Sequence, residues 1–370
     1  MVKNISWITP TCYVDVDLYI IRELCFRYKI HWIVILRPKD GINTKDYIER
    51  TLKGINDVQI TYVWQKYRFR SFKNILFIWN FIKIAKSTKP DIIYLSEYAQ
   101  PFGIILYKLF FPIRKTIVAC HNVTTPRGAN SERFMRIYTD LWIRTFRNIQ
   151  TFSQSQYKIL VSKYRNKNVL MAYLALKDYG EPTIKRKGND DIIRFLVFGN
   201  ILPYKRIDLL IKAVNILYNR GINNFRVKIA GSCNDWNELY APLIMKPELF
   251  ELDIKRIPND EVANLFANSD YFVMPYQDIA QSGAIMVAFR YNIPVICSDI
   301  EQFDEFIIDG INGFKFKSKD EVSLANKLEW IIKNHNCVYK RIKENQQKFV
   351  DENLMLRSIV DKYSKYIEQI

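Results

Sequence analysis

Residues 270 to 316, DYFVMPYQDIAQSGAIMVAFRYNIPVICSDIEQFDEFIIDGINGFKF, constrain this chain more than any other stretch. Two short apolar runs, Tyr271 to Pro275 and Pro294 to Ser298, have the length and the β-branched and aromatic content of buried strands. Between them stand the small-residue turn Gln281-Ser282-Gly283 and an apolar segment that stops before Asn292-Ile293-Pro294. The order is strand, loop, helix, strand, the unit of a parallel α/β sheet. In that unit the first N–H groups of the helix point into the crevice at the strand's carboxyl end, where they can hold an anion such as a diphosphate.

The rest of the chain repeats this alternation. At 370 residues it exceeds an ordinary single core and suits two α/β domains. In the first half, strands are predicted at residues 5 to 9, 30 to 37, 58 to 64, 91 to 95, 116 to 120 and 149 to 152, with a helix from Leu18 to Tyr28. Residues 177 to 191 turn charged and irregular and read as a linker. Domains are therefore expected at 1–176 and 192–350, each Rossmann-like, with residues 351–370 an amphipathic helix that crosses back onto the first.

The second domain opens with a strand, Ile192 to Phe198, that ends in Gly199. A helical face of Ile207, Leu210, Ile211, Val214 and Leu217 follows. Gly199 lets the backbone turn closely, and Lys205, six residues on, stands near the helix start. A cation there can meet a diphosphate that also receives the helix's N–H groups. Arg206 either shares that task or is a solvated residue at the helix start. In the first domain, His121 directly follows a predicted strand, so it faces the crevice of its sheet. Asp15 and Asp17 follow the first strand, either to orient an acceptor hydroxyl or to serve a helix start.

Charge narrows the partners. Fifty-five Lys and Arg against 38 Asp and Glu give +17, which favours an anionic partner. No recognised nucleic-acid-binding motif is present, so nucleic acid is not expected. The aromatic content, with 23 Tyr, 23 Phe and 7 Trp, favours a membrane interface instead. Residues 66 to 89, KYRFRSFKNILFIWNFIKIAKSTK, interleave basic residues with Phe69, Phe72, Phe77, Trp79 and Phe81. Ile75, Ile78, Trp79 and Ile82 recur at helical steps, so this is an amphipathic helix, facing either the core or an anionic leaflet. The six cysteines are scattered without Cys-x-x-Cys spacing and read as reduced thiols of a cytoplasmic protein. The amino terminus lacks a signal-peptide core and no segment has the apolar length of a membrane span, so membrane contact is expected to be peripheral, on the inner face of the cell membrane.

The order Pro275-Tyr276, Ser282-Gly283, an apolar helix, Pro294-Val295-Ile296, Ser298-Asp299, Glu305 and Asp309-Gly310-x-Asn312-Gly313 resembles the nucleotide-sugar half of glycosyltransferase family 4. The resemblance implies a GT-B fold, two Rossmann-like domains facing across a cleft, with the acceptor in residues 1–176 and the nucleotide sugar in 192–350. It implies a retaining transferase that moves a sugar onto a glycan or lipid-linked glycan acceptor in surface polysaccharide biosynthesis. It requires no cofactor beyond the nucleotide-sugar co-substrate and no metal. Site residues carried over by position are His121, Lys205 and Gln281 for catalysis. Gly199, Asn200, Lys205, Arg206, Ile257, Ser282, Gly283 and Glu305 are carried over for the nucleotide sugar. Glu305 is expected either to contact the nucleotide or to cap a helix start.

Three departures from the family pattern stand out. Pro10-Thr11-Cys12-Tyr13 occupies the place of a glycine-rich turn, and Asn200 that of an arginine. The family's two glutamates, eight positions apart, fall here at Val287 and at Ile279 or Ala280. Asp278, Gln281 and Ser282 then take over the sugar contacts, as in a Gln-Ser-Gly subset of the family, or the chain is a catalytically silent binding or assembly subunit.

Overall fold

The computed structural model describes residues 2–38, 41–55, 57–67, 71–96, 102–125, 132–184 and 192–370, the side chains of residues 41–43 excepted. The described residues form two units, each built on one all-parallel sheet.

The first unit alternates β1 (Asn4–Pro10), α1 (Val14–Leu24), β2 (Lys29–Leu36), α2 (Gly41–Thr51), β3 (Val58–Trp64), α3 (Asn74–Ser87) and β4 (Ile92–Leu95). It continues with α4 (Gly103–Phe110), β5 (Thr116–Ala119), α5 (Glu132–Thr145), β6 (Asn148–Thr151), α6 (Gln154–Lys163) and β7 (Asn168–Met171). The strand order is β3-β2-β1-β4-β5-β6-β7. The central strands are apolar on both faces, as burial under helices on both sides demands. Helices α3, α4 and α5 cover one face together, through Ile78, Phe81, Ile82, Tyr107, Trp142 and Ile143.

The second unit runs β8 (Ile193–Phe198), α7 (Ile207–Asn219), β9 (Phe225–Ala230), α8 (Trp236–Leu239), β10 (Phe250–Asp253), α9 (Asn259–Ala267) and β11 (Tyr271–Met274). Then come α10 (Gly283–Arg290), β12 (Val295–Ser298), α11 (Glu301–Asp304), β13 (Gly313–Phe316) and α12 (Glu321–Asn353). Its order is β10-β9-β8-β11-β12-β13. The expected strand-helix-strand at the centre of this unit is β11, α10 and β12. Last, α13 (Leu356–Gln369) belongs to the first unit, where it packs on α1 and β7. Its Tyr363 accepts a hydrogen bond from the Gln150 side chain, and its Tyr366 hydroxyl donates to the Asn168 carbonyl at 2.9 Å.

Some local expectations shift. The first helix starts at Val14 rather than Leu18, because the 3-10 turn Thr11–Tyr13 leads straight into it. The basic aromatic helix begins only at Asn74; Arg68, Phe69 and Arg70 lie outside the described residues. Residues 177–184, read as linker, are packed on the second unit, where Asn264 accepts hydrogen bonds from the backbone of Thr183 (2.8 Å) and Ile184 (2.9 Å). The remainder of that stretch, 185–191, lies outside the described residues. The helix expected over 320–334 runs on to Asn353, because Val338, Ile342, Gln346 and Val350 continue its buried stripe.

Candidate active site

A parallel sheet opens a crevice where the strand order reverses, beyond the carboxyl ends of the two strands concerned. In the second unit those strands are β8 and β11. Past β8 the chain turns at Gly199, whose φ of +99° lies in the left-handed region that favours glycine. A Cβ added at the neighbouring Gly231, at the end of β9, would lie 2.1 Å from the Gly199 carbonyl oxygen. The two turns therefore press backbone to backbone, and only glycine fits.

The turn brings Lys205 back over the crevice. A Cβ on Gly199 would stand 3.3 Å from its Nζ. Lys205 is buried at 9% exposure, with its ammonium 5.4 Å from the centre of the Tyr276 ring. Tyr276 follows β11 and is fixed twice: its carbonyl accepts the Ser298 hydroxyl, and its ring meets Tyr204 edge-on. The next residue, Gln277, donates its N–H to the Tyr204 carbonyl at 2.9 Å. The Pro-Tyr and Ser-Asp pieces of the sequence motif thus build the floor under Lys205. No described carboxylate pairs with this lysine, and burial alone pushes its pKa down to about 8. Its charge has been taken from water without a counter-charge from the protein.

From Tyr276 the chain leads into α10. Ser282 is its N-cap, accepting the Ile285 N–H at 3.4 Å. The helix is seated by Ile285, Met286, Val287, Ala288 and Phe289, all buried, so its amino end is held in place. Gly283, its first residue, lies against a side chain that the sequence reading missed. A Cβ there would be 2.8 Å from the Lys177 Nζ. Lys177 thus presents an ammonium at the positive end of the helix dipole, a place that favours an anion between them. Nothing in the local sequence around Lys177 signals this, because the residue lies more than 100 positions from Gly283.

The other expected residues sort clearly. Asn200 is exposed and accepts the Ser232 hydroxyl at 2.7 Å, so it helps tie the two glycine turns together. Arg206 is turned back onto Asp208, with paired contacts of 3.0 and 2.9 Å, so its charge is largely met within the protein. Ile257 lines a cavity of about 430 Å³ beneath α9, along with Arg194, Arg226, Lys228 and Asn264; Gly199, Lys205, Ser282, Gly283 and Glu305 do not line it. Gln281 is half-buried beside the Ser282 cap. Glu305 does not cap a helix start: it follows the last residue of the four-residue α11, at the negative end, where a carboxylate gains nothing from the helix dipole. The Asp309-Gly310-x-Asn312-Gly313 turn is internally stapled. Asn312 accepts from Ile308 N (2.7 Å) and donates to the Phe306 carbonyl (2.9 Å), while Asp309 accepts from Lys315 N at 2.7 Å. Val287, Ile279 and Ala280, at the family's glutamate positions, are all buried and apolar.

In the first unit His121 follows β5 and is buried. Its imidazole is sandwiched between Tyr13 (ring centroids 3.7 Å apart) and Phe152 (4.6 Å). Asp15 is half-buried in the first turn of α1. Asp17 is buried, and it neither caps α1 nor faces solvent. Its Oδ2 accepts the Thr9 hydroxyl at 2.6 Å and the Ser96 hydroxyl as well, and Trp32 donates to Thr9 at 2.8 Å. Burial pushes its pKa up to about 6 against the pull of those hydrogen bonds.

A glycine-hinged turn, a buried ammonium and a capped helix amino end follow the strands at the strand-order switch, and each is a feature that can meet an anion, as in nucleotide-binding α/β domains. Residues 182–349 match the family described as "Glycosyl transferases group 1". The matched residues lie within the second unit, the one that carries the Gly199 turn, Lys205 and α10. Over 329 residues, the chain is 23% identical to the uncharacterized glycosyltransferase MJ1069 of Methanocaldococcus jannaschii, covering 88% of this chain and 75% of that one. Its fold is similar to that of sucrose-phosphate synthase (tll1590) from Thermosynechococcus elongatus (TM-score 0.75, 13% identity, 99% and 98% of the two chains). It is also similar to that of Anabaena Alr3699/HepE in complex with UDP and glucose (TM-score 0.73, 14% identity, 100% of both chains). Two parallel-sheet Rossmann-like units are the architecture of GT-B glycosyltransferases.

Proposed function

We propose that the protein transfers a sugar from a nucleotide-sugar donor to a glycan acceptor, with retention of anomeric configuration, as in glycosyltransferase family 4. The observation that carries this reading is Lys205, a buried ammonium with no carboxylate partner among the described residues, held against the Gly199 turn. Negative charge grows on the leaving diphosphate as the bond from the sugar's anomeric carbon to its oxygen breaks. Cations and N–H groups that are already in place stabilise that charge without reorganising. Lys205, Lys177 and the amino end of α10 supply them. The acceptor oxygen bonds to the same carbon on the face the nucleotide leaves, and its proton goes to the departing phosphate oxygen. Gln281 is assigned to the donor sugar, His121 to its hydroxyl groups, and Glu305 and the backbone near Ile257 to the nucleoside. No metal takes part in this scheme.

The acceptor we infer is a lipid-linked glycan of surface polysaccharide assembly, reached from an anionic membrane surface. A silent binding subunit is the second reading, favoured by one observation: apolar, buried Val287, Ile279 and Ala280 at the glutamate positions. A panel of nucleotide sugars, screened for slow hydrolysis and for nucleoside diphosphate binding by calorimetry, separates the two. UDP is the first nucleotide to try, since the similar HepE structure holds it. Binding together with slow cleavage of one donor is expected. Tight nucleotide binding without cleavage of any donor, with a lipid-linked acceptor present, would establish the silent reading.

A further inference from the structure

The layer of α3, α4 and α5 in the first unit carries an unusual outer face. Each of the three segments presents one pair of large apolar residues four positions apart: Phe72, two residues ahead of α3, with Leu76 in its first turn, Ile105 and Leu109 on α4, and Ile137 and Leu141 on α5. These six side chains are between 46 and 76% exposed. The helices are neighbours in order: α3 packs on α4 and α4 on α5. Aromatic contacts join the two segments at both ends of α4, Phe72 to Phe102 (5.2 Å) and Trp79 of α3 to Phe110 (4.5 Å). The pairs therefore lie on one continuous surface, and contiguous exposed apolar surface of this kind marks an interaction site.

The charge around this face is one-sided. Residues 66 to 147 hold 15 Lys and Arg against 4 Asp and Glu, a surplus of 11 out of the whole chain's +17. Lys73, at the cap of α3, and Lys83, Lys108, Arg133 and Arg136, on the three helices, are exposed. Such a face is poorly matched to a second copy of itself, which would set like charges together. Nucleic acid would satisfy the cations and leave six apolar side chains against a polar groove. An anionic lipid leaflet satisfies both: acyl chains take the apolar side chains, and headgroups take the cations. No described helix is long and apolar enough to cross a membrane.

We propose that the outer face of α3, α4 and α5 docks the protein on an anionic membrane, with Phe72, Leu76, Ile105 and Leu109 entering the leaflet. The purpose rests on the lipid-linked-acceptor reading above, because this is the surface from which such an acceptor is met; the binding itself does not. Co-sedimentation of the full chain with vesicles tests it, using phosphatidylcholine alone and phosphatidylcholine containing phosphatidylglycerol. Binding is expected only to the anionic vesicles and is expected to weaken as salt rises. The triple variant Lys73→Gln/Lys108→Gln/Arg136→Gln, confined to exposed positions, should lower affinity by about fivefold for each charge removed. Leu76→Gln with Leu109→Gln should lower it further, while UDP binding by the second unit reports that the chain still folds. Equal sedimentation with both vesicle types, or with neither, overturns the proposal. So does concentration-dependent self-association abolished by the leucine variants, or binding to a DNA oligonucleotide that those variants leave unchanged. If vesicle binding is found but no nucleotide binds, the donor reading fails and this one stands.

Discussion

In the first unit the strand-order switch lies between β1 and β4, and it holds a buried carboxylate, Asp17, that takes hydrogen bonds from the ends of both strands through Thr9 and Ser96. In the second unit the switch lies between β8 and β11, and it holds a buried ammonium, Lys205, that meets a glycine turn and the face of Tyr276. The topology is the same and the chemistry opposite. One crevice is closed by a carboxyl group whose Oδ2 is hydrogen-bonded by the protein itself. The other keeps a charge whose hydration has been removed and not replaced, and a buried charge in that condition needs a partner from outside. Asp17 is therefore read as structural and Lys205 as a ligand group, although both are buried and both are shifted in pKa.

The largest effect is expected at Lys205. Lys205→Met should reduce turnover by about two to three orders of magnitude, as deletion of one group aimed at a developing anion does. The same variant should be more stable than the parent at neutral pH, by up to about 3 kcal/mol, because a buried ammonium held near pKa 8 rather than 10.5 is penalised while charged. Kinetics and thermal melting together check this pair. Lost activity with lost stability would place Lys205 beside Asp17 as a structural group.

Asp17 should behave in the opposite sense. Its pKa is raised from 3.8 to about 6 in the folded protein. Between those values the folded chain keeps a proton that the unfolded chain has released, so this group lowers stability as pH rises through that window. Asp17→Asn keeps an acceptor for Thr9 and Ser96 and removes the titration. Its stability relative to the parent should therefore rise by about 3 kcal/mol between pH 4 and pH 7, measured by denaturant unfolding. A difference that stays flat across that range would show that the carboxylate is not desolvated. Nucleotide affinity should be unchanged throughout.

Smaller still is the effect expected at Lys177. Lys177→Met should weaken nucleoside diphosphate binding about tenfold, the scale of one partly exposed charge-assisted hydrogen bond. Calorimetry that finds affinity unchanged would remove Lys177 from the anion site and leave Lys205 to act with α10 alone.

How much of this was legible in the sequence follows from what each signal depends on. Two parallel α/β units were legible because their inner strands are apolar on both faces and separated by helical repeats, as in Tyr271–Met274 and Val295–Ser298. The short strands β7, β10 and β13 were not, because edge strands such as Phe250–Asp253 carry polar residues and lack that pattern. The Gly199 turn with Lys205 and the Ser282-Gly283 helix start could be placed because each follows from short-range spacing within a single loop. Lys177 could not, since its approach to Gly283 is purely tertiary. Glu305 was misplaced for a related reason, and Arg206 stands at the start of α7, as the second of its two readings had it. A residue's offset from a motif does not say where a four-residue helix ends, nor that Asp208 turns the guanidinium away. The outer face of α3 was half legible: its periodicity showed an amphipathic helix, but only the neighbouring α4 and α5 show which apolar residues are left outside.

The central claim, that Lys205 is buried for the sake of an anion, is tested most directly by following the Lys205 side-chain ammonium by NMR through a pH titration. The titration is run with and without the nucleoside diphosphate that binds best, and Lys205→Met supplies the assignment. Alone, the group should titrate at about 8. With the diphosphate bound, the opposite charge should carry its pKa upward, and the ligand's affinity should fall about tenfold per pH unit above 8 in the parent protein. A titration that stays at the same pH when the nucleotide is bound would contradict the account.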